Sequence, residues 1–298
     1  MADEPYFSDE AELGKLADKG SEGRAPHAAK RAEAHRLVDY WVGKATGAFW
    51  PTLNKNEVTN GLHARIESPN RINQWNSNLC GVAAFVRELA WDDPVQYGLF
   101  GALLYEGGWG NLGRRRLKRI EPRQATRMER VPKRDGRSMN HADWLVLASV
   151  RDAFNSTAYV HDVFESLRGL TLMEMPQFFR AAGYDKVNCD FDGVTPKGIA
   201  NMEKASEFFR NGYAVALLVH AAVFKDSTRI TPTANHWIVL RSPIVVNNLW
   251  KPGQVGVRIE KIWTWGEEKT IPSGYTAYMP LAEFVSYYYG YVAARAEL

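Results

Sequence analysis

An α+β fold is expected for this chain of 298 residues, with helices first and an antiparallel sheet after them. Three observations predict it. Up to about Gly212, apolar residues recur mostly at helical intervals. Beyond Gly212 the period changes to runs rich in Val, Ile, Tyr and Trp, separated by turn residues. Helix and strand signals are segregated along the chain, which argues against a parallel sheet built from βαβ units.

Residues 1–26 are polar, with Gly, Ser and Pro, and are expected to be a flexible leader. Residues 27–298 are expected to form a single domain. From His27 to about Gly47 the spacing predicts a helix, with Ala28, Ala32, Leu37, Tyr40 and Val42 near one face. "FWPTLNKNEVTNG" breaks that regularity. A helix begins at Cys80, where Val82, Ala83, Phe85, Val86 and Leu89 fall at helical intervals, and "WDDP" ends it. "PVQYGLFGALLYEGG" predicts another, closed by glycines. "EGGWGNLG" lacks the Lys-Ser/Thr ending of a phosphate loop and is expected to be a turn.

A basic insert follows at about residues 111–139. "SMNHADWLVLASVRDAFN" predicts a helix capped near Asn140. "LTLMEMPQFFRAAGY" and "PKGIANMEKASEFFRNGY" predict two more, each ending at a Gly suited to a left-handed C-cap. "YAVALLVHAAVF", "HWIVLRSPIVV", "QVGVRIEKIWTW" and "GYTAYMPL" are expected strands. "NNLWKPGQ" marks a hairpin turn through its Pro-Gly. The last segment, "LAEFVSYYYGYVAARA", is expected to be a terminal helix.

Composition narrows the class. Apolar content of 45% and charge of 24% are ordinary for a globular protein. No run reaches the length of a membrane span. The acidic, polar start lacks the basic and apolar regions of a Sec signal peptide. Two cysteines, Cys80 and Cys189, make no disulfide framework, and no Cys/His cluster has zinc spacing. Neither a cofactor nor a metal is therefore expected. The net charge of +3 is uneven: from Arg114 to Arg137 there are eleven Lys or Arg against three acids. That run is either a solvated face or a docking patch for an acidic partner. It lacks interleaved aromatics, which weakens a single-strand nucleic-acid role.

Cys80 opens its helix, where unpaired backbone amides favour a thiolate. Gly81 beside it permits close approach of another backbone or a substrate. The alternative is a cysteine buried for packing. A cysteine nucleophile needs a base, usually His, and acyl transfer needs oxyanion donors. Of seven histidines, His236 opens the strand "NHWIVL", at a sheet rim. His220 lies within an apolar run and is expected to be a packed core residue. Cys189, in "VNCDFDG", stands beside Asp190 and Asp192, which disfavour a thiolate.

Glutamine, Cys-Gly opening a helix, further helices, then a His opening a strand before a hairpin: this order resembles the papain-like cysteine peptidase superfamily. "QWNSNLCGVAAFVREL" is most similar to the bacteriocin-processing (double-glycine) type and to related bacterial effector toxins. The resemblance covers about Asn73 to Trp91 and Asn235 to Gly266. It implies Cys80 as nucleophile, His236 as base, and Gln74 with the Cys80 amide as oxyanion donors.

The chain departs from the family at the third residue. Papain-like enzymes place Asn or Asp on the strand after the His, to orient the imidazole. Reflecting His236 through the hairpin puts its partner at roughly residues 264–268. The family's Asn-Ser-Trp-Gly resembles "Trp263-Thr264-Trp265-Gly266", with Trp263 in the Asn position. Thr264 becomes the candidate orienter through its hydroxyl, with Glu267 as a charged alternative. Trp263 and Trp265 are expected to serve in packing.

The resemblance implies a thiol-dependent amide hydrolase, a cysteine protease, with Gln/Asn deamidation an alternative on the same machinery. It also implies an effector or toxin, made in the cytoplasm and delivered by a specialised secretion system into a target cell. Such a protein would act on a protein substrate and have an immunity protein or chaperone as partner. A non-catalytic binding protein using the basic segment is the alternative from another class. A peptidoglycan amidase ranks lower, since no wall-binding repeat is present.

Overall fold

The computed structural model describes residues 28–46, 49–75, 77–113, 118–134, 136–154, 174–224, 234–251, 253–272 and 278–296. The leader, His27, Arg114 to Leu117, His161 and the first half of "GYTAYMPL" lie outside them. The fold is α+β, and the chain divides into two compact units. One is helical, residues 25–185 with the short stretch 265–267. The other carries the main sheet, residues 186–264 and 268–295.

The helical unit begins with α1 (Ala28–Lys44) and α2 (Lys55–Glu67). The buried face of α1 is Ala34, Val38 and Val42, an i, i+4, i+8 stripe. Of the expected face, Val42 is buried and Leu37 half-buried, whereas Ala28 and Ala32 are exposed, and so is Tyr40, at 54%. Helix α2 occupies a stretch expected to be irregular. Its signal is the pair Asn54 and Glu57: the Asn54 side chain accepts from the Glu57 backbone amide at 3.1 Å, an N-cap.

Next come α3 (Cys80–Asp92) and α4 (Pro94–Gly107). Every residue of α3 from Cys80 to Ala90 is buried, including Arg87 and Glu88, so the helix is enclosed on all sides. Asp93 caps α4 by accepting from Gln96, and Gly108 closes it in the left-handed conformation, φ 71°. Gly101 lets α4 approach α2: a Cβ there would lie 2.6 Å from Leu62 Cδ2. Trp50, fully buried, donates its Nε1 hydrogen to the Leu104 carbonyl.

The "EGGWGNLG" turn contains β1 (Gly110–Leu112), paired antiparallel with β2 (Lys118–Ile120). After α5 (Gln124–Met128), β3 (Lys133–Arg134) pairs with β4 (Arg137–Ser138). Then come α6 (His141–Phe154), with Asn140 accepting from Ala142 at 2.9 Å, and α7 (Glu174–Ala181), closed by Gly183 at φ 87°.

The sheet unit opens with β5 (Lys186–Phe191), a mostly exposed strand the sequence does not signal. It continues with α8 (Ile199–Arg210), β6 (Ala214–Val219), β7 (His236–Leu240), β8 (Ile244–Lys251), β9 (Gln254–Thr264), β10 (Glu267–Ile271) and β11 (Met279–Pro280). It ends with α9 (Leu281–Tyr287) and β12 (Tyr288–Arg295). The order is β10-β9-β7-β6-β12-β5, and β8 and β11 also pair with β9. The long β9 changes partner along its length: Val257 and Ile259 lie opposite β8, whereas Ile262 and Trp263 lie opposite β7.

The expected terminal helix is a correction. Only Leu281–Tyr287 is helical, and Tyr288–Arg295 is a strand between β6 and β5. Its aromatic and β-branched residues are buried on both faces, so no alternation marks it as a strand. Likewise "HWIVLRSPIVV" is two strands, divided at Arg241 to Pro243. Met202, Ala205 and Phe209 of α8 pack on Val215, Leu217, Val219, Ile238 and Leu240 to make this unit's core. Truncating a side chain such as Phe209 to Ala would cost about 3–5 kcal/mol.

Candidate active site

Cys80 is the first residue of α3, in the helical unit. The N-cap is Leu79, with no side-chain cap and no acidic residue in the first turn. The first-turn amides of a helix have no acceptor within it, so this end carries partial positive charge. Both cysteines are thiols; Cys80 is buried, and Cys189, on β5, is exposed.

The loop before Cys80 is built from a buried ion pair. Arg65 of α2 meets Asp143 of α6 with two contacts, Nε to Oδ1 at 2.7 Å and NH2 to Oδ2 at 2.6 Å. Asp143 Oδ2 also accepts from the Asn73 backbone amide at 3.2 Å. Asn73 Oδ1 accepts from the Trp75 amide at 2.6 Å, an Asx-type turn. Gln74, 7% exposed, is enclosed between them. Its carbonyl accepts from the Ser77 amide and hydroxyl, and its Nε2 donates to the Ser77 carbonyl at 3.1 Å. One amide hydrogen of Gln74 is therefore used within its own loop, and a second remains on the same nitrogen.

His236 is the first residue of β7, in the sheet unit, paired with Val219 of β6. Asn235 secures the strand start: its amide donates to the Val219 carbonyl and its side chain accepts from Ala221. The β7–β9 register sets Val239 opposite Trp263 and Leu240 opposite Ile262. Continued to the strand end, it brings His236 to the level of the β9 terminus. There His236 Nε2 and Thr264 Oγ1 share a hydrogen bond of 2.6 Å. Both side chains are buried, at 4% and 1% exposure. Burial, with the Lys269 ammonium adding to it, pushes the His236 imidazole down to about 3. Phe224 stands edge-on to the ring. At neutral pH this histidine is therefore uncharged, with one ring nitrogen unprotonated and only weakly basic.

No protein-family model matches the chain, and no curated protein matches it.

The structure thus brings His236 and Thr264 together, and separately joins the Gln74 loop to the start of the Cys80 helix. Trp263 is fully buried on β9, a packing position as expected. His220 is also buried, 7% exposed, with its Nδ1 accepting from Ala222. Among the described residues, two that are not glycine have a left-handed backbone, Trp75 (φ 54°) and Trp265 (φ 51°). Each directly follows a candidate site residue, Gln74 and Thr264. Bulky residues in this region are outliers, and such strain clusters at functional sites. Trp265 and Gly266 (φ 80°) together make the two-residue turn from β9 to β10, both at positive φ as a type I′ turn requires.

Sequence reasoning missed Arg65 and Asp143. Their signal was weak: one charged residue in each of two helices, 78 positions apart. The basic segment also differs from a bare solvated run. Arg119 stacks over Trp109 and Arg127 over Phe49, while Arg123 lies 3.8 Å from Asp152. Among the described residues, no group of three or more His, Cys, Asp or Glu is arranged to hold a metal. No described helix is long and apolar enough to cross a membrane.

Proposed function

We propose that this chain is a papain-like thiol-dependent amide hydrolase, acting as a cysteine protease. Cys80 is the nucleophile and His236 the base. Gln74 Nε2 and the Cys80 amide hold the oxyanion, and Thr264 orients the imidazole. The observation that carries this reading is the 2.6 Å bond between His236 Nε2 and Thr264 Oγ1, one residue beyond the Trp263 that stands in the family's Asn position.

With Nε2–H donated to the Thr264 oxygen, the Nδ1 lone pair is the base. It takes the thiol proton as sulfur attacks the carbonyl carbon, and the carbonyl oxygen becomes the oxyanion. Collapse expels the amine, which receives the proton from Nδ1, and leaves a thioester. Water, deprotonated by the same nitrogen, then releases the acid and restores the thiol. A neutral imidazole with a hydroxyl partner does not favour a preformed thiolate–imidazolium pair. Proton transfer therefore accompanies attack. A carboxamide side chain in place of a peptide bond makes the same steps a deamidation. The resemblance further suggests a bacterial effector or toxin, delivered into a target cell and held in check by an immunity protein or chaperone.

A binding role on a degenerate fold is favoured by one observation, the Gln74 amide engaged with Ser77. Iodoacetamide labelling separates the two. Buried Cys80 is expected to react faster than exposed Cys189, and the His236→Gln variant to lose that advantage. Labelling dominated by Cys189, unchanged in His236→Gln, would overturn the hydrolase reading.

A further inference from the structure

Away from Cys80 and His236, helices α1 and α2 face each other with a row of charged and titratable groups. Arg31, His35 and Asp39 follow at i+4 steps on α1, and His63 and Glu67 at an i+4 step on α2, so each set forms one stripe. His35 Nε2 lies 2.6 Å from Glu67 Oε1. His63 Nε2 lies 2.8 Å from Asp39 Oδ1. Between the rings, the two Nδ1 atoms are 2.6 Å apart. Arg31 is 3.6 Å from the second Glu67 oxygen. Both rings are about a quarter exposed, and both carboxylates are more than half exposed.

Counting hydrogens shows what this row lacks. Ionised carboxylates only accept, so each Nε2 must carry a hydrogen. Two neutral rings have then spent both of theirs, and two Nδ1 lone pairs point at each other. A metal cation placed between the two Nδ1 atoms would be held by both rings. A carboxylate behind the distal nitrogen of a histidine is also the usual support of a metal-ligating ring, because it fixes the tautomer and raises ligand basicity.

We propose that His35 and His63 form a two-histidine site for a divalent transition-metal ion, with Glu67 and Asp39 as the supporting carboxylates. Water completes the coordination. On binding, two Nδ1–metal bonds form and two metal–water bonds break. Ordinary Zn–N bonds of about 2.0–2.1 Å at a tetrahedral angle hold the nitrogens roughly 3.4 Å apart. The rings must therefore part by under about 1 Å, which their exposure allows. Two imidazoles select zinc, copper or nickel over magnesium or calcium. The site would pin α1 to α2 when loaded.

The test is calorimetric titration of the metal-free full chain with zinc chloride. The expected result is one zinc ion bound per chain. His35→Gln and His63→Gln should each abolish that uptake. Glu67→Gln and Asp39→Asn keep both rings and should weaken it about 10–100-fold. These two surface variants decide the matter if a histidine variant fails to fold. Zinc uptake that is absent up to about 0.1 mM, or unchanged in both carboxylate variants, overturns the proposal. So does uptake that survives in a folded histidine variant, since Cys80 or another group would then be the ligand.

Discussion

His236 Nε2 and Thr264 Oγ1 meet at 2.6 Å across the paired strands β7 and β9. The hydroxyl fixes the ring but offers no negative charge. Thr264→Val removes the hydrogen bond at nearly constant volume. Leaving Nε2–H buried without an acceptor should cost about 1–3 kcal/mol of stability. If the bond also orients a base, Cys80 alkylation should slow about tenfold, equivalent to about 1.4 kcal/mol. A stability loss with an unchanged Cys80 rate would reduce Thr264 to a packing residue.

The neutral His236 gives stability a pH signature. An unfolded histidine titrates near 6.5, whereas burial and Lys269 push the native ring down to about 3. Between those values the unfolded chain carries a proton that the native chain does not. This contribution is therefore complete above about pH 6.5 and is lost as pH falls towards 3. The slope is at most about 1.4 kcal/mol per pH unit. Urea midpoints at pH 7, 6, 5 and 4 should converge for wild type and His236→Gln as pH drops. Parallel midpoints across that range would contradict the buried neutral ring.

Asp143 should matter to the Cys80 side of the site without touching a substrate. It neutralises Arg65 and accepts from the Asn73 amide. Asp143→Asn leaves the guanidinium without a carboxylate and should cost about 3–5 kcal/mol. Pairing Asp143→Leu with Arg65→Met removes both charges and should recover much of that stability. It cannot restore the acceptor for Asn73. The double variant is therefore expected to fold yet label more slowly at Cys80, read from mass-resolved alkylation. Wild-type labelling in the double variant would remove the loop-anchoring role.

Local chemistry made much of this legible. Cys80 after a polar loop, Asp93 before Pro94, and glycines at 108, 183 and 212 announce helix ends through their own backbone needs. Thr264 was reachable because the hairpin turn fixes an antiparallel register. Other features were set by distant partners. Tyr288–Arg295 is a strand because β6 and β5 flank it, and burial on both faces erases the alternation that would reveal it. The Arg65–Asp143 pair is a choice between two helices, invisible in either alone. The row on α1 and α2 lies between: its i+4 spacings are in the sequence, but which helix faces which is not.

Gly266 packs closely on Asn73 within the helical unit. Its φ is 80°, and a Cβ there would lie 2.6 Å from Asn73 Nδ2 and 2.9 Å from Asn73 Cβ. Gly266→Ala should therefore carry two costs. Left-handed backbone for alanine is about 1–2 kcal/mol. Displacing Asn73 adds to it and loosens the Trp75 amide that Asn73 holds. Gly253 supplies the control, because it has φ 69° in a turn with nothing within 4 Å of its would-be Cβ. Gly253→Ala should show the backbone cost alone and leave Cys80 labelling at the wild-type rate. Gly266→Ala should be the less stable of the two and label Cys80 more slowly. Equal stability and equal labelling in the two variants would mean that the Gly266–Asn73 contact does not shape the Gln74 loop.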